Sequence, residues 1–269
     1  MKEKCKIFIR IVLLILVIYL VYLLFASKQQ YFKENHVIEE DLSIDLREDS
    51  MLNPRATSIP KYVYLTYHDF SKIPDYVLAN IDKYCKGLKI KVFNDEDCRS
   101  YLLEAVGQKA VDVFDGFESG AHKADFWRYN VLYQSGGCYF DIKTVFETPI
   151  TSIIDFELER TWYTVLGTKS SGNQIYNGII VTPSNNPIIG KAIDHIYANP
   201  KPDHYHMYVH KLYELIQEEC KSPLKPGLNT QKNIWDCILF NETCSEDCVN
   251  DCDQYGLKCV IKNDKGDVM

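Results

Sequence analysis

Two groups of side chains near the middle of the chain have the types and spacing to do chemistry. Asp125 and Arg128 stand three residues apart in a stretch that reads as a helix over residues 120–134, so they project from one face beside Ala124 and Trp127. Asp141 and Lys143 stand two apart in residues 138–146, which read as a strand. Alternation there puts Tyr139, Asp141 and Lys143 on one face and Phe140, Ile142 and Thr144 on the other. Charged groups at the end of a strand that is otherwise apolar are costly to bury unless they meet a ligand or an ion. In an open α/β sheet the ligand crevice lies beyond the carboxyl ends of the strands, where Asp141 would stand. The bland alternatives are a helix ion pair at Asp125–Arg128 and a surface pair at Asp141–Lys143.

The elements that would position these groups follow from local pattern. Residues 61–67 (KYVYLTY) are β-branched and aromatic and predict a strand, with a helix over 74–84 after it. Residues 88–93 alternate as a second strand, and Asp95 is expected to cap a helix to about 106. Ser119 is expected to cap the 120–134 helix, which Gly136 and Gly137 end. Strands at 161–166 and 175–182 and helices at 186–198 and 205–219 complete an α/β sheet covered on both faces. The sequence has no Gly-rich phosphate loop, no G-x-S-x-G elbow and no H-E-x-x-H. His206 and His210 are four apart and read, with His204, as a solvated helix face rather than a metal site.

The 269 residues carry a net charge of −7, unevenly spread. Lys2, Lys4, Lys6 and Arg10 against Glu3 make residues 1–26 net +3, which leaves −10 for the rest. A domain so acidic is a poor partner for nucleic acid, since binding phosphates needs a basic surface. Residues 7–26 hold one charge, Arg10, and about 20 helical residues span a bilayer core. The reading is a cytoplasmic tail at 1–6, a signal anchor at 7–26 with a cleaved signal peptide as the alternative, and a polar stem at 27–58. Positive charge stays inside, so the remainder faces the lumen or exterior: a domain at 59–219 and a Cys-rich segment at 220–269. Cys5 would stay cytoplasmic. Cys220, Cys237, Cys244, Cys248, Cys252 and Cys259 are disulfide candidates in an oxidising compartment, and Asn241-Glu242-Thr243 is a glycosylation sequon.

The run Ala124-Asp125-Phe126-Trp127-Arg128-Tyr129 through Leu132-Tyr133 and Gly136-Gly137-Cys138-Tyr139-Phe140-Asp141 resembles the signature of the DXD-type sugar transferases of glycosyltransferase family 32. Residues 59–67 resemble the family's first strand, with Tyr64 and Tyr67 in place of its His and Trp. Tyr176-Asn177-Gly178-Ile179 and Asn186-Pro187 resemble a downstream segment. The resemblance implies a GT-A fold, a Rossmann-like mixed sheet, and retaining transfer of a hexose or N-acetylhexosamine from a nucleotide sugar to a glycan, glycoprotein or glycolipid. It implies that Leu65, Thr66 and Tyr67 meet the base, that Asp125, Arg128 and Asn177 bind donor, and that Asp141 reaches the diphosphate and a divalent ion, Mn²⁺ or Mg²⁺. Asp141, Lys143 and Arg128 would be catalytic. Lys143 replaces the second Asp of the motif. Lys143 itself could supply charge to the phosphates, it could supplement a metal, or the site could be degenerate and bind nucleotide or glycan without transfer. An adhesion module is the non-enzymatic alternative. The layout matches single-pass type II transferases of the Golgi or ER, with room for a homo-oligomer.

Overall fold

A computed structural model describes residues 10, 12–20, 22–23, 57–142, 144–167, 173–232, 235–243, 248–251 and 258–263. Lys143, Cys5, Cys244, Cys252 and nearly all of the stem lie outside the described residues, as do the side chains of Cys248 and Cys259. Residues 12–20 are helical, and their large apolar side chains are exposed. Among the described residues no helix is long and apolar enough to cross a membrane.

The strands are β1 (Tyr62–Thr66), β2 (Lys89–Phe93), β3 (Gly137–Phe140), β4 (Thr144–Phe146), β5 (Thr161–Gly167), β6 (Gln174–Thr182), β7 (Gly227–Thr230), β8 (Asp236–Thr243), β9 (Cys248–Asp251) and β10 (Lys258–Asn263). The helices are α1 (Asp75–Tyr84), α2 (Asp95–Ala105), α3 (Gln108–Asp115), α4 (Gly120–Ser135), α5 (Pro187–Ala198) and α6 (Met207–Glu219). The described strands form one mixed sheet in the order β2-β1-β3-β6-β5-β8-β9-β10-β4, with β7 on β8. β1 pairs in parallel with both β2 and β3, whereas β6 runs antiparallel to β3 and β5. Alternation along β1 and β3 divides the core in two. Tyr62, Tyr64 and Tyr139 face one layer, under α2 to α6. Val63, Leu65, Cys138 and Phe140 face the other, under α1.

Local chemistry sets the boundaries. Asn94, not Asp95, caps α2: its side chain accepts from the Glu96 and Asp97 amides, and Asp97 returns the bond to the Asn94 amide. Asn186 caps α5 with Pro187 in its first turn. The short α3 has no counterpart in the sequence reading. The expected strand at 138–146 is two strands. The Asp141 amide donates to the Gly178 carbonyl at 2.8 Å, and the Asp141 carbonyl accepts from the Thr144 amide at 2.9 Å, which turns the chain. β4 then joins β10 at the far end of the sheet order. The segment after 219 is not a separate appendage, because β8 pairs with β5 over six residues, from Thr161 to Leu166. Cys220 and Cys237, expected as disulfide candidates, are free thiols. Cys220 bridges Gln231 while Cys237 pairs with Asn229, so the β7 backbone and its continuation stand between them. The sequon residue Asn241 is a strand residue paired with Leu166 and Asn250 rather than part of a loop.

α4 is buried along most of its length, with Trp127, Phe126 and Tyr129 all fully covered. Its end is fixed by Gly136, at φ +66°, where a Cβ would lie 2.6 Å from the Ser184 amide nitrogen. Gly136→Ala therefore meets both a left-handed backbone and a clash. It should lower stability by about 1–3 kcal/mol, seen as a lower urea midpoint at unchanged m value. A midpoint equal to that of the parent would contradict the tight α4–β3 turn.

Candidate functional site

The carboxyl ends of β2, β1 and β3 stand side by side, and the first turns of α4 lean over them. Between them lies a cleft of about 470 Å³, lined among others by Thr66, Tyr67, Lys123, Arg128, Asp141 and Tyr176. Its floor is organised by Arg128, whose side chain is 4% exposed. The three guanidinium nitrogens meet five oxygens. Nε faces the Ala124 carbonyl at 3.2 Å, and Nη1 donates to the Asn177 carbonyl at 2.7 Å and to its Oδ1 at 3.1 Å. Nη2 faces Asp125 at 3.4 Å and Asp141 at 3.1 Å. The guanidinium also stacks 4.3 Å from the centre of the Tyr139 ring. Burial opposes its charge, but Asp141, Tyr139 and Asp125 outweigh that and hold Arg128 above its usual value.

Asp125 lies under the same floor. Its carboxylate accepts from Asn177 Nδ2 at 2.9 Å, and the same amide donates to the Tyr129 hydroxyl at 2.9 Å. Burial raises Asp125 above the usual carboxylate range, more than the Arg128 charge and the Asn177 bond lower it. Asp141 is the carboxylate that reaches the cleft, with a third of its side chain exposed. Its Oδ2 sits 3.5 Å from the Tyr176 hydroxyl. Gly178 makes this approach feasible, because a Cβ there would collide with Asp141 Oδ2 and lie 2.6 Å from the Tyr176 hydroxyl.

The structure thus brings together Asp125, Arg128, Asp141 and Asn177, which are spread over 53 residues of sequence. They lie at different depths. Asp125 and Asn177 are buried and bonded to Arg128 in the floor, and Arg128, which also lines the cleft, holds Asp141 at 3.1 Å. The Leu65 side chain is in the core at 1% exposure, so the expected contact with a base falls to its backbone, and Thr66 and Tyr67 reach the cleft. The Thr66 hydroxyl bonds the Tyr139 hydroxyl at 3.0 Å. Lys123, Tyr139, Tyr176 and Gly178 were missed as site residues by sequence reasoning. The shared face of Tyr139 and Asp141, and the Gly after Asn177, were the available signals.

Metal binding finds little support in the described donor set. Each carboxylate in or under the cleft already faces a cation: Asp125 and Asp141 face Arg128, and Asp95 faces Lys123 at 3.2 Å. Among the described residues no three His, Cys, Asp or Glu side chains are grouped to hold an ion. Those residues do not fit a divalent site of their own. His204 and His206 are exposed, and their ring centres lie 5.3 and 5.9 Å from that of the half-buried His210.

Comparison with known proteins finds the following similarities. Residues 60–159 match the family model described as a glycosyltransferase sugar-binding region containing DXD motif. An uncharacterized glycosyltransferase of Acanthamoeba polyphaga mimivirus is 26% identical over 113 residues, which is 42% of this chain and 42% of that protein. The match thus spans less than half the length of that relative. Among solved structures, the PaToxG glycosyltransferase aligns at TM-score 0.41 and 14% identity, over 72% of this chain and 80% of that one. A transferase double mutant aligns at 0.35 and 15%, over 67% and 77%. Asn177 and Gly178, which complete the site, lie beyond the matched residues.

Replacing Arg128 by Met leaves two carboxylates without their counter-charge and should cost about 3–5 kcal/mol at neutral pH. Asp125 then rises further above its unfolded value. A raised carboxylate contributes stability that is present below its unfolded pKa and lost as pH rises through its folded one. The variant should therefore recover stability, relative to the parent, as pH falls from 8 to 5. Thermal melts that move in parallel for the two proteins would contradict the network.

Proposed function

We propose that this chain is a nucleotide-sugar-dependent glycosyltransferase that moves a hexose or N-acetylhexosamine to a glycan, glycoprotein or glycolipid with retention of configuration. The observation that carries the reading is the buried Asp125–Arg128–Asn177 network, which presents Asp141 to a cleft at the strand ends, within and just beyond the matched glycosyltransferase region. Asp141 would accept hydroxyl donors of the bound nucleotide sugar, and Arg128 keeps its carboxylate oriented. Tyr67 offers a ring to a base, and the Tyr176 hydroxyl stands at the opposite wall beside Asp141. No side chain has to form a covalent intermediate in this scheme, so rate enhancement comes from positioning and from charge that Lys143 would supply to the leaving diphosphate, the nitrogens of Arg128 being committed. Retention and the acceptor class follow the family resemblance. Placement in the Golgi or ER as a type II protein rests on the basic N-terminal residues followed by an apolar run.

A second reading is favoured by one observation. Lys143 stands where the motif has its second Asp, and the cleft carboxylates are already bridged, as expected of a degenerate site that binds without transfer.

The test is turnover by the full chain across a panel of nucleotide sugars, beside Asp141→Asn and Gly178→Ala. Asp141→Asn keeps the shape and an acceptor oxygen and should cut turnover by about 100- to 1,000-fold, with a lower melting temperature because Arg128 loses one counter-charge but a transition that remains cooperative. Gly178→Ala should also lose turnover, because the new methyl group displaces the Asp141 carboxylate. Binding without turnover in the parent would establish the second reading. Full activity in both variants would sink the first.

A further inference from the structure

One ion pair in the cleft is not used by the network around Arg128. Lys123 Nζ lies 3.2 Å from Asp95 Oδ2 and 5.4 Å from the centre of the Phe114 ring. Asp95 is the first residue of α2, directly beyond β2, and Lys123 belongs to the first turns of α4. Both line the cleft, with Cys98 and Phe114 as their apolar surroundings and Tyr67 in the same wall. The ends of β2 and β3 are two strand spacings apart, about 9–10 Å. Lys123 also precedes Arg128 by five residues, about 7.5 Å along the helix axis. The pair therefore sits at the opposite end of the cleft from Asp141, with the end of β1 between them. A nucleoside diphosphate whose phosphates and sugar lie at Asp141 would bring its base to Asp95 and Lys123.

We propose that the Asp95–Lys123 pair reads the base of the donor nucleotide and that this base is guanine. The proposal rests on the donor-site reading above and goes one step further, to the class of donor. A carboxylate beside an ammonium presents two acceptors next to a donor. Guanine has the complementary edge, with N1–H and the N2 amino group as adjacent donors followed by the O6 acceptor. Asp95 accepts from both N–H groups, Lys123 donates to O6, and the two side chains remain paired with each other. Uracil has a single N–H between two carbonyl oxygens, so a carboxylate aligned on it also faces an oxygen lone pair. Adenine and cytosine place a ring nitrogen acceptor beside their amino groups, which repels the second carboxylate oxygen. The Lys123 side chain is 20% exposed, which limits solvent screening of its contact to O6, and that of Asp95, at 44%, is open enough to meet the base edge.

Isothermal titration of the full chain with GDP, UDP, ADP and CDP tests this, beside Asp95→Asn and Lys123→Met. GDP should bind the parent at least about tenfold more tightly than the others. Each substitution should weaken GDP by about 10- to 100-fold and leave UDP unchanged. Because the pair also ties α2 to α4, melting temperatures of the unliganded variants separate loss of fold from loss of recognition. Another diphosphate binding as tightly as GDP, or substitutions that weaken all four nucleotides alike, would overturn the guanine assignment and leave the donor site standing. Absence of binding by every nucleotide would overturn both.

Discussion

A buried guanidinium that has to be neutralised is the constraint on which the rest of the site depends. Arg128 cannot shed its charge, and at its depth an unpaired cation would be prohibitive. It is accommodated because α4 supplies Asp125 and a main-chain carbonyl, β6 supplies both oxygens of Asn177, and the end of β3 supplies Asp141. Three elements far apart in sequence are pinned to one planar group. Asp141 is held at the cleft because it completes that neutralisation. The carboxylate that reaches the cleft is thus oriented by the same interaction that closes the core.

The other half of the arrangement is backbone. β3 has to stop at Phe140 so that Asp141 can turn out of the sheet, and the Gly178 carbonyl on β6 takes the Asp141 amide at the turn. Gly178 has no side chain because the Asp141 carboxylate and the Tyr176 hydroxyl occupy that space. At the other end of α4, Gly136 and Gly137 adopt positive φ and let β3 start at once beneath the helix. The segment from Gly120 to Asp141 is therefore a single mechanical unit: a helix, a forced turn and a short strand that end in the cleft carboxylate.

Much of this unit was legible in the sequence. The three-residue spacing of Asp125 and Arg128, the Gly136-Gly137 stop and the alternation up to Asp141 all survive in the structure, as do β1, β2, β5, β6 and five of the six helices to within two residues. What alternation could not reveal was the break after Phe140, since Ile142, Thr144 and Phe146 continue a strand-like pattern while a long-range bond to Gly178 and a turn end the pairing. The roles of Asp125 and Asn177 were also hidden, because spacing shows which groups share a face but not how deep that face lies. Lys123 was passed over because its partner, Asp95, is 28 residues away and meets it only through the packing of α2 on α4. The Cys-rich tail misled in a different way. Its crowded cysteines in an expected oxidising compartment suggested disulfides and a separate segment, whereas β-branched and aromatic residues in β8 carry it into the sheet.

The overall acidity of the chain makes the few cations of the cleft matter more than their number, since a doubly charged diphosphate must be welcomed against a net negative domain. The central claim is that donor binds where the ends of β1, β2 and β3 meet the start of α4. Hydrogen–deuterium exchange of the full chain, with and without a nucleotide sugar that it binds, tests this most directly. Protection confined to residues 66–68, 94–98, 120–128 and 139–142 is the predicted result. Protection elsewhere, with these segments unchanged, would contradict the account.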